Sequence, residues 1–261
     1  MSGMKGVKAL LFDVFGTVVD WRGTVRRELR VFGRNHPEYD TIDWDDFAEQ
    51  WRKGYLKATR ETAAGKRPFQ VVDEMHMERL KEILPQYKCA GFWTEEQLHN
   101  LNQVWHRLEP YPDAQLGMRL LNSNYLTCTL SNGNVRLLID LVRHGNLAFD
   151  QVFSGEMFNS YKPNPATYLG ACKYLMLQPH EVAMVAAHHS DLTAAKSFGL
   201  RTVYIDRGFP EDNINWDKLD DYGFDVVVKI GDTAKPQDGG FVEAAKRVGI
   251  AADTTVKSWR I

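Results

Sequence analysis

The chain is poor in cysteine, nearly neutral and without a long apolar run, and each shortage removes a class of function. Cys89, Cys128 and Cys172 are the three cysteines in 261 residues. They are odd in number, far apart and without a CxxC pair, which argues against a disulfide framework or a zinc cage and suits a reducing compartment. The formal net charge is −2, so no broad basic field exists to hold a polyanion or an acidic membrane, and nucleic-acid binding is not expected. No stretch approaches the length of a membrane span, and residues 1–8 lack the apolar segment of a signal peptide, so a cytoplasmic location is the default. What is present is ordinary: 44% hydrophobic and 25% charged residues, in a length that allows one or two domains and a sizeable core.

Short apolar runs read as strands covered on both faces. The first is Val7–Phe12, ending at Asp13, after which Phe15, Gly16 and Thr17 turn the chain. Others follow only after residue 124: Tyr125–Leu130, Gln151–Phe153, Val182–Ala187, Thr202–Ile205 and Phe224–Val228. Amphipathic stretches lie between them, such as Leu137, Leu138, Leu141 and Val142, and a last helix is expected over Phe241–Val248. Alternation of this kind predicts an α/β fold, a Rossmann-like parallel sheet with helices on both faces. Residues 21–108 differ. They carry aromatic and charged residues at helical spacing, as in Phe47, Trp51 and Tyr55, with no convincing strand. They read as an inserted helical cap domain, with residues 1–20 and 109–261 forming the core.

Ligands of an open parallel sheet sit beyond the carboxyl ends of its strands. Those ends present Asp13 with Gly16 and Thr17, then Ser131 and Asn132; Lys162 follows before Pro163 at the entry to a helix, and a last strand end presents His188 and Asp191. An acid, a hydroxyl and amide pair, an ammonium and a second acid would converge on one cleft.

These four groups, in this order and at these boundaries, resemble the motifs of the haloacid dehalogenase superfamily over residue 8 to about 205, with the helical insertion where that superfamily carries its cap. Most of its members are magnesium-dependent phosphatases with a second aspartate two residues after the nucleophile. Phe15 stands there in this sequence, Asp191 has no acidic neighbour, and Lys162 would repel a cation. A hard, octahedral ion would find too little anionic oxygen. No metal and no cofactor are therefore expected.

An aromatic residue at position 15 resembles the L-2-haloacid dehalogenase branch, and residues 50–56 resemble the cap segment carrying its halide-binding arginine, which lands on Arg52. The resemblance implies that Asp13 displaces halide from a short 2-haloacid, a small carboxylate substrate, and forms an ester that water then hydrolyses. Lys162, Thr17 and Ser131 would orient and charge-balance Asp13, while Arg52 and Asn132 would take up the leaving halide. Ser131 and backbone N–H groups near Phe15 and Asn132 would hold the substrate carboxylate. Tyr168 matches an active-site tyrosine, and Asp191 with His188 would position water. The best-defined relatives carry tyrosine, serine and asparagine where Phe15, Ala186 and His188 stand. A bulkier His188 would shrink the pocket toward a haloacetate such as fluoroacetate. A homodimer is common among similar enzymes.

Plainer readings exist for each residue. Ser131 to Gly133 suits a turn, Asp191 a helix N-cap before Leu192, and Arg52 an exposed helix face. His188 and His189 lack a third metal ligand, while Trp51, Tyr55 and Trp105 suit a cap core and Tyr168 helix packing. Other functions left open are a magnesium-dependent phosphatase, a carboxylate-dependent hydrolase of a strained ring acid, and a non-catalytic binding protein. Fold analogy alone does not fix the substrate.

Overall fold

The computed structural model describes residues 3–208 and 214–250. The chain runs β1 (Ala9–Phe12), β2 (Val19–Asp20), α1 (Trp21–Gly33), α2 (Trp44–Ala63), α3 (Val72–Ile83), α4 (Glu95–Asn102) and β3 (Glu109–Pro110). It continues through α5 (Ala114–Asn122), β4 (Leu126–Ser131), α6 (Val135–His144), β5 (Gln151–Ser154), α7 (Pro165–Leu175) and β6 (Val182–Ala186). The last elements are α8 (His189–Ser197), β7 (Arg201–Ile205), α9 (Leu219–Tyr222), β8 (Val226–Val228) and α10 (Gly240–Arg247).

Six strands form one parallel sheet in the order β5-β4-β1-β6-β7-β8. The four residues of β1 are all buried, because successive side chains point to opposite faces and helices cover both. Leu10 and Phe12 pack with Leu121 of α5, Leu138 of α6 and Phe241 of α10. Ala9 and Leu11 pack with Tyr168 of α7 and Leu192 of α8. Phe12 meets Phe241 edge to face at 5.4 Å, and truncating such a ring costs about 3–5 kcal/mol. The central strand is thereby held rigidly, and Asp13 follows it directly.

Between β2 and β3 the chain builds its four-helix insertion. β2 and β3 pair antiparallel where the chain leaves and returns, Val19 opposite Pro110 and Asp20 opposite Glu109. Asp20 caps α1 by accepting the Gly23 N–H. Asp43 caps α2 through the Asp45 and Asp46 N–H groups, and Thr94 with Gln97 forms a capping box on α4. Inside the insertion Trp51 donates its indole N–H to the His76 carbonyl at 2.7 Å, tying α2 to α3.

Every expected strand is present, with ends displaced by one or two residues. Val7 and Lys8 precede β1, Ala187 lies past β6, and Phe224 precedes β8, stacking on Tyr204 and Tyr222 instead. The ribbon β2–β3 was not expected, since two residues leave no periodicity. Helix α8 begins at His189, so Asp191 stands in its first turn and does not cap it. Residues 1–2, 209–213 and 251–261, all within the range expected for the core, lie outside the described residues. Among the described residues no helix is long and apolar enough to cross a membrane.

Candidate active site

Asp13 is fixed from both sides. Its N–H donates to the Val185 carbonyl of β6 at 3.0 Å. The turn that follows closes on itself, with the N–H groups of Thr17, Val18 and Val19 all donating to the Val14 carbonyl. Gly16 sits at φ 78°, and a Cβ there would come within 3.3 Å of the His188 ring, so both backbone and space call for glycine. The turn delivers Thr17, whose hydroxyl donates to Asp13 Oδ2 at 2.7 Å and accepts the Ala187 N–H at 2.9 Å.

Lys162 Nζ lies between two acids, 2.9 Å from Asp13 Oδ1 and 2.5 Å from Asp191 Oδ2. All three side chains are about nine-tenths buried. Asp191 Oδ1 accepts the Tyr168 hydroxyl at 2.6 Å, and His188 Nδ1 stands 3.1 Å from Asp13 Oδ2. Burial works to raise the Asp13 carboxyl, yet the Lys162 ammonium and His188 outweigh it and hold Asp13 far below the usual carboxylate range. Burial raises Asp191, against the pull of Lys162 and with the push of Asp13. Burial opposes the Lys162 charge, but the two carboxylates prevail and raise it. Burial and the Asp191 charge push the Tyr168 phenol well up, so it stays a donor. The arrangement is an ionised, shielded carboxylate that shares one ammonium with a second acid.

Asn132 accepts the Lys162 N–H at 2.8 Å through Oδ1, which assigns its amide and leaves the NH2 end as a donor. The N–H groups of Phe15 and Asn132 meet no protein acceptor among the described residues, and both residues line the cavity beside Asp13. Arg52 reaches in from α2. It is buried, with its guanidinium carbon 5.4 Å from the Phe15 ring, 5.3 Å from Trp21 and 4.8 Å from Tyr55. Aromatic faces of this kind stabilise a cation and strip it of water.

Asp13, Phe15, Arg52, Asn132, Lys162, Tyr168, His188 and Asp191 thus border one cavity of about 600 Å³. Thr17 stands behind it on Asp13. Ser131 does not join them: it is buried, its Oγ accepts the Gly133 N–H at 3.2 Å, and it neither borders the cavity nor bonds Asp13. Accepting that N–H uses one lone pair of Oγ and leaves the O–H as a donor. The His188 ring lies against Asp13 and Gly16 and forms part of the cavity wall. Tyr55, read from its spacing as cap core, is buried and also borders the cavity. Leu56, Thr59, Arg60, Ala63 and Ala64 do so too. Counting helical turns from Arg52 would have found them, at three, four, seven, eight, eleven and twelve residues on.

The donor set does not fit a hard divalent cation. Lys162 already occupies the space between the two carboxylates, and Phe15 brings no side-chain oxygen. Among the described residues no three His, Cys, Asp or Glu side chains gather to hold a metal.

A capped parallel sheet with a shielded aspartate at the end of its central strand defines an α/β protein equipped for covalent carboxylate chemistry. A family model described as haloacid dehalogenase-like hydrolase matches residues 7–199, and the chain belongs to that family. It is 31% identical over 209 residues to (S)-2-haloacid dehalogenase 1 of Pseudomonas sp. strain CBS-3, covering 78% of this chain and 86% of that one. The crystal structure of an L-2-haloacid dehalogenase matches with a TM-score of 0.81 at 32% identity, over 94% of this chain and 100% of the other. A defluorinating L-2-haloacid dehalogenase matches with a TM-score of 0.76 at 30% identity, over 92% and 94%.

Proposed function

We propose that this protein is a hydrolytic dehalogenase of 2-haloacids that works through an ester on Asp13 and needs no metal. The observation that carries the reading is the bridge of Lys162 between Asp13 and Asp191, with Phe15 in the place where a phosphatase of this family would need an acid. The named relatives act in the same sense, as (S)- or L-2-haloacid dehalogenases.

Asp13 Oδ2 is held by Thr17 and His188, whereas Oδ1 meets only Lys162 among the described residues. Oδ1 keeps lone pairs for attack on the substrate's C2. As the O–C bond forms, the C–X bond breaks and the halide leaves with the electron pair toward Arg52 and the Asn132 amide. Donors fixed before reaction in a water-poor site favour such charge separation. The N–H groups of Phe15 and Asn132 hold the substrate carboxylate. Water then adds to the Asp13 carbonyl carbon, the acyl–oxygen bond breaks, and a 2-hydroxyacid departs with Asp13 restored. Both oxygens of Asp191 are engaged by Lys162 and Tyr168, so His188, beside Asp13, takes the proton of that water while Asp191 keeps Lys162 in place.

In this reading residues 21–108 are the cap and residues 1–20 and 109–261 the core. Three free, buried cysteines suit a cytoplasmic setting, and a homodimer is the assembly to look for by light scattering. The function is tested by halide release from L-2-chloropropionate with and without a chelator. Release indifferent to chelator and abolished by Asp13→Asn is the expected result. Turnover that requires magnesium, or that survives Asp13→Asn, contradicts it.

A further inference from the structure

The cavity is much longer than a two- or three-carbon acid needs. Its reactive end lies at Asp13 and Arg52, and from there it follows one face of α2 out to Ala63 and Ala64. Arg52 and Ala63 are eleven residues apart on the helix, a distance of about 16 Å at 1.5 Å per residue. The outer walls include Leu56 and Ala63 on α2, Ala64 just past its end, and Pro163 and Pro165 opposite, small or apolar side chains interrupted by Thr59, Arg60 and Asn164. Asn164 spans the two walls at the outer end, donating to the Ala63 carbonyl at 3.1 Å. At about 600 Å³ the space is in the range of pockets that hold ligands of drug size. Arg60 stands at its exposed rim, with no acidic partner among the described residues, able to draw an anionic substrate inward.

Resting on the dehalogenase reading, we infer that the preferred substrate is a 2-haloacid with an extended apolar tail. The carboxylate and halogen occupy the inner end, and the tail lies along α2 between Leu56 and the two prolines. Residues 63 and 64 set the tail length, because they are the smallest side chains of the outer wall and any larger one would fill it.

A fully buried methylene is worth about fourfold in affinity. A groove open on one side gives about half that free energy, about twofold per carbon. From (S)-2-bromopropionate to (S)-2-bromooctanoate the gain in kcat/KM is then about 30-fold. Bromide release from the two acids measures the ratio directly. Ala63→Trp is expected to lower it by about tenfold or more, with Ala64→Trp, at an exposed position outside the helix, giving the same loss should the first variant not fold. A ratio at or below one in the wild type, or a ratio unmoved by both variants while the short acid is still consumed, overturns the tail groove and leaves the dehalogenase reading standing. Bromide release from neither acid removes both.

Discussion

Replacing Lys162 by Met keeps the volume of the side chain and removes its charge from between two buried carboxylates. Lys162 is the strongest influence holding Asp13 down, and its Nζ is within 2.9 Å of one acid and 2.5 Å of the other. Breaking a buried pair by deleting one partner costs about 3–5 kcal/mol when the remaining charges stay ionised. Here they need not. Asp191 is already raised by burial and by Asp13, so the variant relieves repulsion by binding one proton, shared by the two acids, over a pH range in which the wild type binds none. The stability loss is therefore smaller than that figure, and the main damage is to the nucleophile. Loss of one fixed charge-stabilising group lowers kcat by about a hundred- to a thousandfold. The decisive assay is the pH profile. In the wild type Asp13 stays ionised across the assay range, so no acid limb arises from it. In Lys162→Met the rate should fall as the pH drops through the raised carboxyl value and recover partly above it. A variant with wild-type kcat and an unchanged profile would refute the charge-balance reasoning.

Arg52→Met should cut kcat by about a hundredfold or more, with the largest loss for chloride as leaving group, measured by chloride against bromide release. His188→Ala should slow hydrolysis more than alkylation, so that a burst of halide is followed by slow turnover and ester accumulates on Asp13, visible by mass spectrometry; a variant without a burst would return the proton-accepting role to Asp191. His106 joins Asp140 on α6 at 2.9 Å to Asp73 on α3 at 3.0 Å, and although burial opposes its charge, the two carboxylates raise its pKa. A raised folded value means that its contribution to stability is full below the unfolded value of about 6.5 and is lost as pH rises through the folded one. The difference in urea midpoint between wild type and His106→Asn should accordingly shrink as the pH is raised beyond neutrality, and a difference that widens would contradict this ion pair.

Much of the fold was legible because the core strands are continuous apolar runs bounded by loops, and because residues 21–108 carry helical spacing with no such run. What was hidden has local causes. A two-residue ribbon such as Val19–Asp20 with Glu109–Pro110 has no pattern of its own and exists only because the chain leaves and re-enters at one place. At the site, Asp13 was legible as an acid at a strand end, Lys162 as a lysine at a helix entry and Asp191 as an acid just beyond a strand. Ser131 was legible at the end of its strand, but its acceptance of the Gly133 N–H and its place outside the cavity lining depend on the turn that follows. Tyr55 looked like core because a cavity wall under a cap is also buried, and sequence periodicity records burial without saying what lies on the far side.

Catalysis through Asp13 requires a covalent link between its carboxylate oxygen and a substrate carbon. A single turnover with enzyme in excess, run in water enriched in heavy oxygen, separates the possibilities at once. The peptide carrying residue 13 should gain the heavy oxygen, and the first hydroxyacid released should contain only light oxygen taken from the carboxylate. Heavy oxygen in that first product, with the peptide unchanged in mass, would mean that water attacks the substrate directly and that Asp13 is not the nucleophile.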